Sequence, residues 1–521
     1  MLDKLTGKPV HFTIHFIACL AIAVGLPWSK IPLSLGTMLL FANLLLKADF
    51  KNYWLAWKKN PWLIALFVYV AFEWLSITWS SNLDYVGHDF RVKLPLYALP
   101  LGLVALPFTD RKWIYVICMF FLGSLLVTSV LNYAYYAQWF GPKHYNDIRG
   151  LSLFVSHIRY ALLIATGVAL LLGWWLRKLP YRWFALVLIG WFVYYTWFAQ
   201  VVAGYMSLLA VLIAGIVLLI RNIPSKSVKR LLVTSTLVAL IAGNWWLYTE
   251  LAPIPEKVKM DELSKVSKYG EPYYFESATP WENGYPILAQ IAQKEIDSCW
   301  NAVSKLRYNI DRDAKGTMVH YTLWRYMTSR GLTKDREGFS KLSPKEIKLI
   351  EQGIASVELA KGGLHARLHS VRTQIQYPED PNGHSMLQRL EYWKAATAII
   401  KENWLIGVGA GDIEDRFQAE YVRTNSKLLP ENRHRSHNQY FTTWITSGLF
   451  GLLAFLGLWF IVIRSSMRMR AFEWLSFTGI VVTSFLIEDT LETQIGVTYV
   501  AFFFGLFAGN AGLFYRKVPQ S

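Results

Sequence analysis

Charge is scarce in this chain of 521 residues, of which only 17% are Asp, Glu, Lys or Arg. A soluble domain carries roughly 25%, so a soluble enzyme, a disordered chain and a coiled coil are excluded together. Cysteine is scarcer, with three in the whole chain, which excludes a disulfide scaffold and a cysteine-built metal cluster. No phosphate-binding P-loop and no HExxH pair occurs, and we find no internal repeat or low-complexity linker. What the sequence has instead is apolar surface. Hydrophobic residues make up 54% and aromatics 16%, with 23 Trp, and the mean hydropathy is +0.27. The formal charge of +17 has to be located before it is read as a nucleic-acid signal.

Apolar runs of bilayer-spanning length, roughly 17–25 residues, recur along the chain. We read twelve, some of them short, at 12–27, 31–46, 62–79, 94–108, 113–139, 160–176, 183–200, 205–220, 231–249, 440–463, 475–487 and 497–515. The first is expected to stay in the protein, because no small-residue cleavage site follows it and Pro27-Trp28 leads into the next run. Counting connections alternately from the N-terminus, the first-side segments hold 20 basic and 4 acidic residues. The insert at 250–436 holds 27 and 25. The excess charge is therefore the positive-inside bias of a membrane protein. It places both termini in the cytoplasm and the insert outside, and it gives no reason to expect nucleic acid.

The expected fold is an all-α polytopic membrane protein with about twelve transmembrane helices and one large helical insert. Residues 1–249 carry nine spans, 250–436 the insert, and 437–521 the last three spans. Apolar periodicity in the insert predicts helices over 287–306, 344–359 and 385–404. The last carries Met386, Leu390, Trp393, Ala396 and Ile400 on one face. Such an insert is expected to pack back on the spans and roof a cavity.

Several clusters can carry chemistry there. Arg433-His434-Arg435-Ser436-His437-Asn438-Gln439-Tyr440 stands where the insert re-enters the membrane. Arginines bind anions, and an imidazole can take a proton from a hydroxyl; the bland alternative is a snorkelling interfacial segment. His157 and Arg159 open the sixth run, and Arg159 adds positive charge against the orientation bias, though it can equally be an interface anchor. Arg389 precedes the glycine-rich stretch 407–411, whose pattern alone is weak and is no dinucleotide fingerprint. Glu488, Asp489 and Glu492 crowd one boundary, where carboxylates are costly without cations; pairing with insert arginines is the simpler role, binding a cation or activating a sugar hydroxyl the others. Glu73 lies about 9 Å inside its span at ~1.5 Å per residue. Asp311-Arg312-Asp313 matches a DxD metal pattern but reads better as a solvated loop.

His437-Asn438-Gln439-Tyr440, followed by Gly448-Leu449-Phe450-Gly451, resembles the HN…GxxG signature of the O-antigen ligase and polymerase superfamily. Arg389, Trp393 and Glu402-Asn403-Trp404-Leu405-Ile406-Gly407-Val408-Gly409 resemble another segment of that family, with Trp404 where proline is usual. Ser156-His157-Ile158-Arg159 and Glu488-Asp489-Thr490-Leu491-Glu492 resemble the Bacteroidetes-type variant. One departure stands out: Gln200-Val201-Val202-Ala203-Gly204 lacks the arginine many members carry there, and Arg159 and Arg435 are the nearest substitutes.

The resemblance implies a GT-C-type glycosyltransferase of a bacterial inner membrane, working at the periplasmic face. Its donor would be an undecaprenyl diphosphate-linked glycan, its acceptor a sugar hydroxyl of lipid A–core, with membrane lipids around it and no cofactor or metal. His437 would be catalytic. Arg389, Arg159, Arg435, His157, Asn438, Tyr440, Glu488, Asp489, Glu492 and Glu73 would bind or position substrates. An O-antigen polymerase, a protein oligosaccharyltransferase and a lipid-linked glycan transporter remain open alternatives.

Overall fold

A computed structural model describes residues 9–141, 148–277, 279–377 and 380–514. The first half is a run of helices: α1 Val10–Gly25, α2 Lys30–Lys47, α3 Phe50–Lys59, α4 Pro61–Leu75, α5 Leu83–Ala105, α6 Arg111–Tyr136, α7 His157–Leu176, α8 Arg182–Ala199, α9 Val202–Asn222 and α10 Lys226–Leu251. Among the described residues, eight helices are long and apolar enough to cross a membrane, and Val10–Gly25 and Gln494–Gly509 are shorter apolar helices. The protein is an all-α polytopic membrane protein. The last expected span, 497–515, ends at a residue outside those described.

The insert between α10 and the last helices is built of short elements. A two-stranded ribbon, β1 Trp281–Glu282 and β2 Tyr285–Pro286, is followed by α11 Gln293–Val303, α12 Val319–Ser329, α13 Arg336–Phe339, α14 Pro344–Glu351, α15 Val357–Ala360, α16 Gly363–Gln376, α17 Ser385–Asn403 and α18 Ile413–Arg423. The chain closes with α19 Gln439–Arg468, α20 Phe472–Ser484, α21 Gln494–Gly509 and α22 Ala511–Phe514. Trp300, Tyr308, Leu323, Met327 and Ile350 form a separate core in the insert.

Three expectations for the insert need correction. The helix expected from 287 begins only at Gln293, because Ile287, Ala289 and Ile291 are buried at alternate positions. That is the period of an extended segment, and Ile291 pairs with Tyr274. The helix expected over 344–359 is two, interrupted at Gly353, whose φ is +75°. The buried stripe of α17 runs through Tyr392, Ala395, Ala396, Ile399 and Ile400 instead of Met386, Leu390 and Trp393. Trp393 turns its indole N–H to the Ser436 carbonyl at 3.0 Å.

In the membrane bundle, α5 packs along α21, α4 along α19, and α9 along α20, with α7 against both α8 and α20. The α5 helix starts eleven residues before the run expected at 94, capped by Asn82, whose side chain accepts from the Tyr85 N–H. The amphipathic α3 stacks Trp54 on Trp57 with Lys58 over the Trp54 ring, as suits a helix lying in an interface.

The break in α19 is the feature that positions the site. Gly448 has φ +68° within α19, a conformation nearly reserved for glycine. There the Val408 and Gly409 N–H groups donate to the carbonyls of Ile445 and Thr446, at 2.7 and 3.0 Å. The Leu449 N–H returns a bond to the Trp404 carbonyl at 3.0 Å. The glycine-rich stretch therefore fills the gap in the helix. A Cβ on Gly407 would meet the Ile445 and Thr446 carbonyls at 2.6 Å. Asp412 then accepts from the backbone N–H groups of Ser81 and Asn82, at 2.8 Å each, tying the insert to the start of α5.

Candidate active site at the re-entry of the insert

The segment leading into α19 is held by aromatic side chains of the insert. The Tyr392 hydroxyl donates to the Asn432 carbonyl at 2.8 Å and the Tyr421 hydroxyl to the His434 carbonyl at 2.6 Å. Asn438 caps α19, its side-chain oxygen accepting from the Tyr440 and Phe441 N–H groups, and its amide donates to the Leu486 carbonyl. The Tyr440 hydroxyl donates to the Val482 carbonyl at 3.1 Å. Asn438 thus holds α19 against the 485–493 connection and Tyr440 holds it against α20, both in positioning roles.

Between these anchors His437 sits at φ +47°, a conformation that costs a residue with a side chain of order 1–3 kcal/mol. Its N–H donates to Asp489 at 3.2 Å, and Asp489 also accepts from the Thr442 hydroxyl at 2.9 Å. The strain is held in place by a buried carboxylate. The imidazole Nδ1 is buried and faces Glu488 Oε2 at 3.8 Å, while a third of the side chain remains exposed. Tyr392 and His434 flank the ring at centroid distances of 5.4 and 6.0 Å. Burial, with His437 adding to it, moves the His434 pKa down.

Cations surround this histidine. Arg159 donates to Glu488 Oε1 at 2.8 Å, while the other Glu488 oxygen lies 3.8 Å from His437 Nδ1. Arg435 donates to Glu492 at 2.9 Å and to Glu414 at 3.2 Å, and lies over the Tyr85 ring. Arg389 reaches the Ile487 carbonyl at 3.4 Å. His157 opens α7 two residues before Arg159. The structure therefore gathers His437, Arg159, Arg389, Arg435, Glu488, Asp489 and Glu492 around one connection, 485–493.

Glu73 belongs to the inner wall of the same cluster. It accepts from the Tyr69 hydroxyl at 2.7 Å and pairs with Lys93 at 3.0 Å. Lys93 also meets Asp89 at 3.1 Å and Glu492 at 3.4 Å, and its side chain is only 3% exposed. Lys93, Asp89 and Glu414 were missed by sequence reading. The available signal was the Asp89/Lys93 spacing of i,i+4 after the Asn82 cap, in a stretch read as a loop because of its charge. Burial alone would raise the Glu492 carboxyl, but Lys93 and Arg435 outweigh it and hold the pKa at about 2. Burial raises Asp489, opposed by His437. The DxD pattern holds no such cluster: Asp311 pairs with Arg307, while Asp313 is buried and accepts from the Thr322 hydroxyl.

Chemically, the arrangement offers a strained, partly exposed imidazole backed by a carboxylate, beside three guanidinium groups suited to an oxyanion. Residues 349–456 match the family model described as O-antigen ligase. Arg389, the Gly407 stretch, Arg435, His437, Asn438 and Tyr440 fall inside that match, and it supports the resemblance to the O-antigen ligase family that the motifs carry. A comparison with curated proteins gave no match.

Proposed function

We propose that this chain is a glycosyltransferase of the bacterial inner membrane that moves a glycan from undecaprenyl diphosphate to a sugar hydroxyl of lipid A–core, at the periplasmic face. The observation that carries this reading is His437, held at positive φ by Asp489 and backed by Glu488, among Arg159, Arg389 and Arg435. Domain boundaries follow the same reading, with spans in 1–249 and 437–521 around a periplasmic insert at 250–436.

A glycosyl diphosphate is already activated, so the reaction needs only an acceptor made nucleophilic and a leaving group made stable. Arg389 and Arg159 bind the diphosphate, and their hydrogen bonds strengthen as charge develops on the departing oxygen. Arg435, held by Glu492 and Glu414, adds positive charge to the same cluster. The Glu488 carboxylate, 3.8 Å from Nδ1, favours the ring proton on that side, which leaves the other ring nitrogen to take the proton of the acceptor hydroxyl. Direct attack by that hydroxyl inverts the anomeric carbon.

The glycan profile of a deletion strain tests the reading. Loss of long chains from an intact lipid A–core, with polymer retained on undecaprenyl diphosphate, is the expected result. Lipid A–core capped by single repeats would assign polymerisation instead, and an unchanged profile would reject both.

A further inference from the structure

A cavity of about 490 Å³ lies within the insert, away from His437. Trp281 and Glu282 of β1, Tyr321 and Arg325 of α12, His369 of α16 and Tyr377 line it. The spacing of Tyr321 and Arg325, and of His369 and Thr373, is i,i+4, so each pair presents one helix face to the cavity. The volume falls within the ~300–1,000 Å³ usual for small-molecule sites.

One wall is a prebuilt polar network. Glu282 is 2% exposed and accepts from His369 Nε2 at 2.8 Å and from Arg325 Nη2 at 2.8 Å. Arg372 donates to His369 Nδ1 at 2.8 Å, which assigns the His369 proton to Nε2. Arg372 also donates to the Glu250 carbonyl at the end of α10. Burial works to raise the Glu282 carboxyl, but the His369 and Arg325 hydrogen bonds outweigh it and keep it low. The wall itself thus presents a buried carboxylate, a buried imidazole and the Arg325 guanidinium, with Arg372 bracing His369 from behind.

The rest of the lining says what fits. Trp281, Tyr321 and Tyr377 give flat apolar faces, beside an aliphatic patch of Pro280, Ile287, Leu288, Leu359 and Leu387. The Tyr321 hydroxyl and the His384 imidazole have no hydrogen-bond partner among the described residues, and Arg325, with a side chain 40% exposed, gives only one N–H to Glu282. A sugar ring offers the matching surface: a C–H face for the aromatics and a rim of hydroxyls that both donate and accept. An acyl chain would suit the aliphatic patch alone and leave Tyr321, His384 and the free N–H groups of Arg325 without partners.

Position ties this cavity to the catalytic cluster. His384 and Leu387, at the start of α17, line the cavity, and Arg389 follows two residues on. At ~100° per residue, positions 387 and 389 point to opposite sides of one helix, so about one helix diameter, ~10 Å, separates the cavity from the diphosphate arginines. We propose that this cavity is a saccharide subsite, holding a segment of one glycan substrate while the reacting end lies at His437. That the saccharide belongs to a transfer reaction rests on the function proposed above; the recognition chemistry does not.

Binding of two lipid-free probes to the full chain in lipid nanodiscs tests the subsite. One probe is oligosaccharide released by mild acid from the source cell's lipid-linked glycan, the other its core oligosaccharide. Saturation-transfer NMR is expected to show one probe binding, with Tyr321→Ala and His384→Ala each weakening it at least fivefold. Both side chains lie at the cavity rim, so the fold should survive. Binding of the glycan probe assigns the subsite to the donor, and binding of the core probe assigns it to the acceptor. Binding of neither, or binding that both variants leave unchanged, overturns the subsite. Transfer by the same wild-type preparation separates the two ideas. A protein that transfers but fails these tests keeps its function and loses the subsite; one that binds through Tyr321 without transferring keeps the subsite and loses the function.

Discussion

At the residue scale, the site is a set of charges that stabilise one another in a place where none would be tolerated alone. Glu492 shows this best, because it answers Lys93, Arg435 and the Gln439 amide together. Breaking a buried pair by removing one partner costs about 3–5 kcal/mol, so Glu492→Gln should lower the unfolding midpoint and activity together. Its folded pKa, about 2 against an ordinary 4.5, gives the pH sign. The unfolded chain binds this proton more readily, so the contribution is present above pH ~4.5 and fades as pH falls toward 2. A wild-type midpoint that drops over this window, with a flatter slope in Glu492→Gln, is the expected outcome of thermal unfolding in detergent. Arg389→Ala and Arg159→Ala should each weaken undecaprenyl diphosphate binding, and lysine should rescue only in part because it lacks the planar fork; unchanged binding by both alanine variants would remove them from the donor site. His437 and the 488–492 carboxylates were legible in sequence because each belongs to a run of polar residues at a span end. Lys93 and Asp89 were not, since a hydropathy window penalises a charged turn whose partners, such as Glu492, lie some four hundred positions away.

At the element scale, the interlock of the glycine-rich stretch with the broken α19 converts a weak motif into a geometric requirement. A Cβ at Gly448 would stand 2.2 Å from the Leu405 carbonyl oxygen, which backbone cannot yield. Gly448→Ala should therefore destabilise by ~3 kcal/mol or more, whereas Gly457→Ala, with nothing within 4 Å, should be neutral or slightly stabilising. Comparable midpoints for the two variants would show that the break is adaptable. The glycines were visible in sequence, but the carbonyls they admit were not, because those belong to a segment some forty residues away. Segment 287–292 failed for a related reason: its apolar residues suit either period until Tyr274 pairs with Ile291. The insert core carries its own pH signature. Burial lowers Lys334 to about 7, only partly offset by Asp335. The unfolded chain holds that proton up to pH ~10.5, so local stability should rise with pH between about 7 and 10.5 and level off below 7. Hydrogen exchange in the insert of the full chain should follow this rise, and Lys334→Met should abolish it.

At the scale of the whole molecule, the spans, the insert and the 485–493 connection supply separate parts of one site. Helix α7 brings Arg159, α5 brings Lys93, α17 brings Arg389, and the entry to α19 brings His437. The fold class was legible because apolar length and the charge bias of connections are summed over the whole chain. The meeting of α5 with the 485–493 connection was not, because packing between helices leaves no local pattern. The central claim is that His437 takes the acceptor proton while the carboxylates beside it position and neutralise. Single-turnover transfer from a lipid diphosphate-linked glycan to lipid A–core by purified, reconstituted protein tests it most directly. His437→Ala should lose at least a hundredfold in rate, within the ~10²–10⁴ of a general base, while keeping donor binding and fold. A His437→Ala protein with more than a tenth of the wild-type rate, beside a stable Glu488→Gln or Asp489→Asn protein that binds donor without turnover, would contradict the account and make a carboxylate the base.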